Sequence, residues 1–190
     1  KVFLAQPKKA LPVLVGLLGN EDKMTRLHAV RILALLGSHA QSAIPAIEKR
    51  LGTESEQKIL SMVIDTLRKV APHTPALEKK MVGMLTHRAA LVVWQALKTL
   101  GAYGDKASGA LPEIRKKLTS KEGWVRLTAA QAIWQIAKDD TSFASLKGEL
   151  SSKDQNLRKK MILILGEMKG SKVAVELLST ALSDRRLYLQ

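Results

Sequence analysis

Cysteine is missing from this 190-residue chain, and aromatic residues make up only 4% of it. Without thiols there can be no disulfide framework, thiolate metal site or cysteine nucleophile. With so few aromatics, and with Ala, Leu, Ile, Val and Met dominating, the core is expected to pack helix on helix rather than as a sheet sandwich. No apolar run approaches the ~20 residues that a membrane-spanning helix needs. The opening Lys1-Val2-Phe3-Leu4-Ala5 is broken too soon, by Pro7 and Lys8-Lys9, to be a signal peptide. A soluble chain is expected, its compartment open with a lean to the cytoplasm.

Catalytic and cofactor motifs are missing as well. The segment Gly101-Ala102-Tyr103-Gly104-Asp105 has no following Lys-Ser/Thr and no preceding strand, so it reads as a helix connection rather than a phosphate loop. No Ser lies in a strand-to-helix elbow. His28, His39, His73 and His87 share no helix face at i, i+4, which leaves no local metal-ligand pair. Asp139-Asp140 reads as a turn and helix start. The expectation is a chain that is not an enzyme and takes no cofactor or metal.

What is present is a repeat. Ala10-Leu11-Pro12-Val13-Leu14 followed by Arg26-Leu27-His28-Ala29 matches Ala110-Leu111-Pro112-Glu113-Ile114 followed by Arg126-Leu127-Thr128-Ala129. Between them lie Ala43-Ile44-Pro45-Ala46-Ile47 and His73-Thr74-Pro75-Ala76-Leu77, so the marker prolines are Pro12, Pro45, Pro75 and Pro112, at steps of 33, 30 and 37 residues. Continuing at a similar step sets Leu150 and Arg158 in a fifth unit and Leu182 and Leu189 in a sixth. Each unit reads as two helices. The first opens on its proline, where a missing N–H is tolerated. The second, such as residues 27–36, is apolar nearly all round and closes on Gly37, as befits a helix packed on several sides. The predicted units are about 10–37, 43–71, 73–101, 109–138 and 141–170, with a partial sixth over 172–190. The missing initial Met and the end inside a repeat make the chain read as a piece of a longer one.

This pattern resembles HEAT repeats, in particular the bacterial kind grouped with phycobilisome-lyase-like repeats, over about residues 10–190. The resemblance implies an all-α, right-handed solenoid of about five to six helical hairpins, first helices on the convex side and second helices on the concave side. It also implies a structural ladder between an acidic turn residue and the recurring Arg. Asp22 and Arg26, Glu122 and Arg126, and Asp154 and Arg158 are each spaced i, i+4, which suits an ion pair on one helix face. One HEAT-like enzyme, deoxyhypusine hydroxylase, holds iron with His-Glu dipeptides. Here Ala29, Ala40, Thr74 and Arg88 follow the histidines, and the resemblance does not extend to that activity. HEAT-like alkylpurine glycosylases use Trp and Asp on the concave face. In the alignment of the repeats Trp94 falls with Val30, Val63 and Ala130, and Trp134 with Ala34 and Leu67, both core columns, whereas Trp124, opening a second helix, is open between core and surface.

The net charge of +14 is spread along the chain. Lys49-Arg50, Lys79-Lys80 and Lys116-Lys117 hold the same place after three successive marker prolines and are expected to form a basic ridge on first helices. Helix-dipole and solubility effects account for such a ridge. So does attraction to an acidic protein, nucleic acid or anionic surface. Lys147, Lys153, Arg158, Lys159 and Lys160 form a second basic patch. The expected concave face, with His28, Arg31, Gln95, Thr128 and Gln131, is mixed in character and lacks the repeated cations and aromatics of a nucleic-acid groove. The reading is a protein-interaction scaffold for a protein partner or another domain of its parent chain. Nucleic-acid binding through phosphate contacts on the ridge, and an accessory role in a larger enzyme, are the alternatives.

Overall fold

The computed structural model describes residues 6–183. The segment Lys1–Ala5 and the expected helix start at Leu189 lie outside them. The described residues form helices and turns without a strand. In order these are α1 (Pro7–Leu17), α2 (Lys23–Leu36), α3 (Ile44–Thr53), α4 (Gln57–Val70), α5 (Pro75–Met84), α6 (Ala90–Ala102), α7 (Leu111–Arg115), α8 (Gly123–Ala137), α9 (Thr141–Ala144), α10 (Gln155–Glu167) and α11 (Lys172–Ser183). The chain divides into two compact units between Thr99 and Leu100.

In the first unit α1 packs on α2, α3 on α4, and α2 on α4, so second helices stack on one another. Leu14, Leu33, Ile47, Ile64, Leu67, Met81 and Leu97 are fully buried between them. In the second unit Leu127, Ala130, Phe143, Met161 and Ile164 form one continuous core with Leu177, and Trp124 and Trp134 pack against its edge. Local signals fix the helix ends. The Asp22 and Asp154 side chains accept the Thr25 and Leu157 N–H groups at 2.7 and 3.1 Å, and Thr74 accepts the Leu77 N–H at 3.1 Å. Gly37, at φ 53°, ends α2 in a conformation that side-chain-bearing residues avoid.

Three expectations are corrected. Pro45, Pro75 and Pro112 stand in the first turn of their helices, but α1 begins at Pro7 and Pro12 lies inside it. The first proline met in the chain takes the helix start, and the second only removes one backbone donor. Residues 37–43 and 104–110, ahead of α3 and α7, are 3-10 helix and not open loop, which gives those repeats a third helical element. And α2 is not apolar on all sides: Leu35 is 71% exposed, and His28 and Arg31 also face solvent.

The arginine ladder exists with different partners. Arg26 does not pair with Asp22, whose carboxylate is occupied as an N-cap. Its Nε and Nη2 donate to Glu54 at the end of α3 (2.9 and 3.0 Å), while its Nη1 donates to the carbonyls of Asn20 and Glu21 (both 2.9 Å). Arg50 adds a third donor to Glu54 at 2.7 Å. Burial of the Glu54 side chain disfavours its charge, but the hydrogen bonds from Arg26 and Arg50 outweigh that and lower its pKa to about 2. In the second unit Arg126 repeats the arrangement. It donates to Glu149 through Nε (2.8 Å) and Nη2, and to the Ser120 and Lys121 carbonyls through Nη1 (2.7 and 3.0 Å). Arg158 keeps only the turn contact, to the Ser152 carbonyl at 2.5 Å, with no carboxylate partner among the described residues. Each of the first two arginines therefore ties its own turn and the next hairpin to one guanidinium, a task that a planar five-donor group suits.

Candidate functional site

A groove of about 490 Å³ opens on the second helices of the first unit. Helical spacing puts Lys58, Ser61, Met62 and Asp65 of α4 and Leu91, Trp94, Gln95 and Lys98 of α6 on its walls, each set at i, i+3, i+4 and i+7, with Leu27 and Arg31 of α2 alongside. A second trough of about 570 Å³ lies between the starts of α2 and α4 and shares Leu27 and Lys58 with the first. Leu91 is 40% exposed, and Trp94 is half-buried with the Lys98 ammonium 4.4 Å from its ring centre.

Asp65, the carboxylate of the first groove, is committed within the fold. Its oxygens accept from Arg68 (2.7 and 3.1 Å), Lys69 (2.8 Å) and Gln95 (3.1 Å). Burial opposes its ionisation, yet the bonds from Lys69 and Arg68 hold it below the usual carboxylate range. It is a charged, neutralised strut between α4 and α6. Among the described residues no group of three or more His, Asp or Glu side chains could hold a metal ion. His39 approaches the Leu36 carbonyl, His73 the Glu78 carboxylate, and His87 accepts the Ala89 N–H, so these three belong to turns.

Of the residues expected on the concave face, Arg31 and Gln95 line the groove. His28 is exposed on α2 outside it, and in the second unit Gln131 is half-buried. Thr128 is buried, its hydroxyl donating to the Trp124 carbonyl at 2.7 Å. Trp94 is not a core residue, contrary to its expected column. Counted from the first residue of each second helix it is fifth in α6, matching Ser61 in α4 and Leu27 in α2, both groove residues. The repeat alignment set it beside Val63, two places too far along, because it allowed the third unit one extra residue after its proline, whereas Pro75 stands 15 residues ahead of α6 and Pro45 12 ahead of α4. Trp134 is half-buried at the core edge, 5.5 Å from the Lys138 ammonium. Trp124 is also half-buried and donates to Asp154 at 2.9 Å. Helix starts, more than prolines, were the signal that would have found Met62, Leu91 and Trp94.

Half of the basic ridge is engaged. Lys49 and Lys79 are exposed, but Arg50 is bound to Glu54, and Lys80 pairs with Glu48 of the preceding first helix. In the second unit Lys116 pairs with Glu113 at 2.6 Å and Lys117 is half-buried. Of the second patch, Lys147, Lys153 and Lys159 are exposed and Lys160 half-buried, while Arg158 turns into its own loop.

The chain matches no protein-family model and no curated protein. Its likeness is to solved designed repeat proteins. A designed armadillo repeat protein in complex with the peptide (KR)4 is 17% identical at a TM-score of 0.57, covering 90% of this chain and 87% of that one. An engineered protein from the Northeast Structural Genomics Consortium is 23% identical at a TM-score of 0.54, covering 90% and 84%. At such identities the likeness establishes the fold, an all-α helical repeat solenoid.

Proposed function

We propose that this chain is a non-catalytic protein-interaction scaffold of HEAT-like hairpins that receives a segment of a partner protein, or of another domain of its parent chain, in the groove of α2, α4 and α6. The observation that carries the reading is Trp94. A large apolar ring stands half-buried beside exposed Leu91, in a trough flanked by stacked second helices whose other faces are filled by core. Apolar surface left open in a concavity is the usual mark of a recognition site. The peptide complex formed by a designed protein of the same fold lends support at the level of fold alone. Phosphate binding along the ridge is the weaker reading, because Arg50, Lys80 and Lys116 already hold carboxylates.

The test is selection of a displayed peptide library on the wild-type chain with counter-selection on a Leu91→Asp, Gln95→Arg groove variant of unchanged helical content. Peptides that bind the wild type and not the variant are expected. No enrichment, or enriched peptides that bind both proteins equally, overturns the proposal.

A further inference from the structure

We infer that the segment taken by this groove is acidic and carries one bulky aliphatic or aromatic anchor, seated against Leu91, Trp94 and Met62 with its carboxylates toward Arg31 and Lys58. The inference rests on the groove reading above and adds to it the sign of charge and the shape of the partner.

Arg31 and Lys58 are exposed on adjacent stacked helices, and neither forms an ion pair among the described residues. Asp65, the groove's own carboxylate, is neutralised by Arg68 and Lys69, so it has little left to offer a cationic peptide. In the adjoining trough Lys23 and Lys58 outnumber Glu56. The field inside the trough is therefore positive, as is the chain as a whole at +14, and a concave wall concentrates such a field on whatever enters. A cationic segment would be repelled on entry, and a neutral one would gain nothing from Arg31 and Lys58.

Met62, Leu91 and Trp94 form a small apolar patch on two neighbouring helices, and a volume of about 490 Å³ is enough to enclose a side chain while its backbone passes over the rim. Methionine adapts to ligands of varied shape, and a tryptophan ring gives a rigid contact surface. A single-stranded nucleic acid is also acidic, but it calls for several aromatic platforms. Here there is one ring, and Lys98 lies across it.

Fluorescence anisotropy with short fluorescein-labelled peptides decides the matter. Four are used: a Glu/Asp-rich peptide with a central Leu-Phe, the same peptide with Ala-Ala in the centre, a Ser/Gly peptide keeping Leu-Phe, and a Lys/Arg peptide keeping Leu-Phe. A labelled oligothymidylate serves as the nucleic-acid probe. The expected result is that the acidic anchored peptide binds at least about tenfold more tightly than each of the others, and that Arg31→Glu with Lys58→Glu lowers its affinity by about tenfold or more. Both substitutions sit on exposed side chains, and helical circular dichroism confirms that the variant is folded. If the neutral or the basic anchored peptide binds as tightly and is lost on Leu91→Asp, the groove is a peptide site and the acidic inference is wrong. If the oligothymidylate binds more tightly than every peptide and is lost on the charge reversal, the partner is nucleic acid and the inference is overturned. If no probe binds, the groove reading falls and the inference with it.

Discussion

Arg26 and Glu54, 28 residues apart, meet in a two-pronged ion pair at 2.9 and 3.0 Å, and Arg126 and Glu149, 23 residues apart, form its counterpart in the second unit through the same two nitrogens, both on Oε1. In each case the arginine opens a second helix and the carboxylate closes the first-helix segment of the following hairpin. The same guanidinium also holds two turn carbonyls. A lysine cannot serve both ends at once, because its point charge lacks the fork.

Glu54→Gln leaves two arginines facing a neutral amide that accepts only on one side. Breaking a buried pair by removing one partner costs about 3 kcal/mol, and the loss should show in the midpoint of urea unfolding. Glu149→Gln should cost less, about 1–2 kcal/mol, because its partner Arg126 is more exposed than Arg26 (26% against 12% for the side chain).

The same pair sets an acid limit. The folded-state pKa of Glu54, about 2, lies below its ordinary value of 4.5, so its contribution to stability is fully present above about pH 4.5 and fades as the pH falls through about 2. Wild type and Glu54→Gln should therefore differ in unfolding midpoint at pH 6, and the gap should close progressively between pH 4.5 and 2. A gap that stays constant over that interval would show that the carboxylate is not held by its charge.

Two glycines separate packing from propensity. A Cβ on Gly101 would stand 3.1 Å from the backbone Cα of Ala132 and 3.3 Å from its Cβ, and would also crowd the Gln135 side chain, so Gly101→Ala should destabilise by about 1–2 kcal/mol despite the better helix former. Gly83, near the end of α5, has nothing within 4 Å of such an atom, and Gly83→Ala should stabilise by about 0.5 kcal/mol. Thermal unfolding of the two variants beside wild type checks both signs.

Lys49 and Lys79 test whether the ridge takes part in binding. Charge reversal at both should leave the affinity for the acidic anchored peptide within about threefold at physiological salt, where charges beyond about 8 Å are screened. A tenfold loss would move the site from the groove to the ridge.

Much of this was legible in the sequence. Pro45, Pro75 and Pro112 do begin helices, because a fixed φ and a missing donor suit the first turn and little else, and Gly37 does end one. The recurring Arg was readable as structural. Its partner was not: Asp22 at i−4 satisfies a helix-face rule, but an N-cap needs that carboxylate first, and Glu54 becomes available only when hairpins stack. Trp94 was misplaced for a related reason. An alignment that starts at the proline inherits the variable distance to the second helix, and a two-residue error carries a side chain to the opposite side of it. The 3-10 stretches at 37–43 and 104–110 escaped notice because their Gly, Ser and Ala residues read as turn.

The ladder also bears on how such a chain can be cut and rejoined. One hairpin moved alone carries an arginine without its acceptor, or a buried glutamate without its donor, and either orphan is penalised. The smallest piece that can be transplanted with its charges satisfied is two consecutive hairpins, the first supplying the guanidinium and the second the carboxylate. Duplication or recombination of this array should leave its traces at that doubled length.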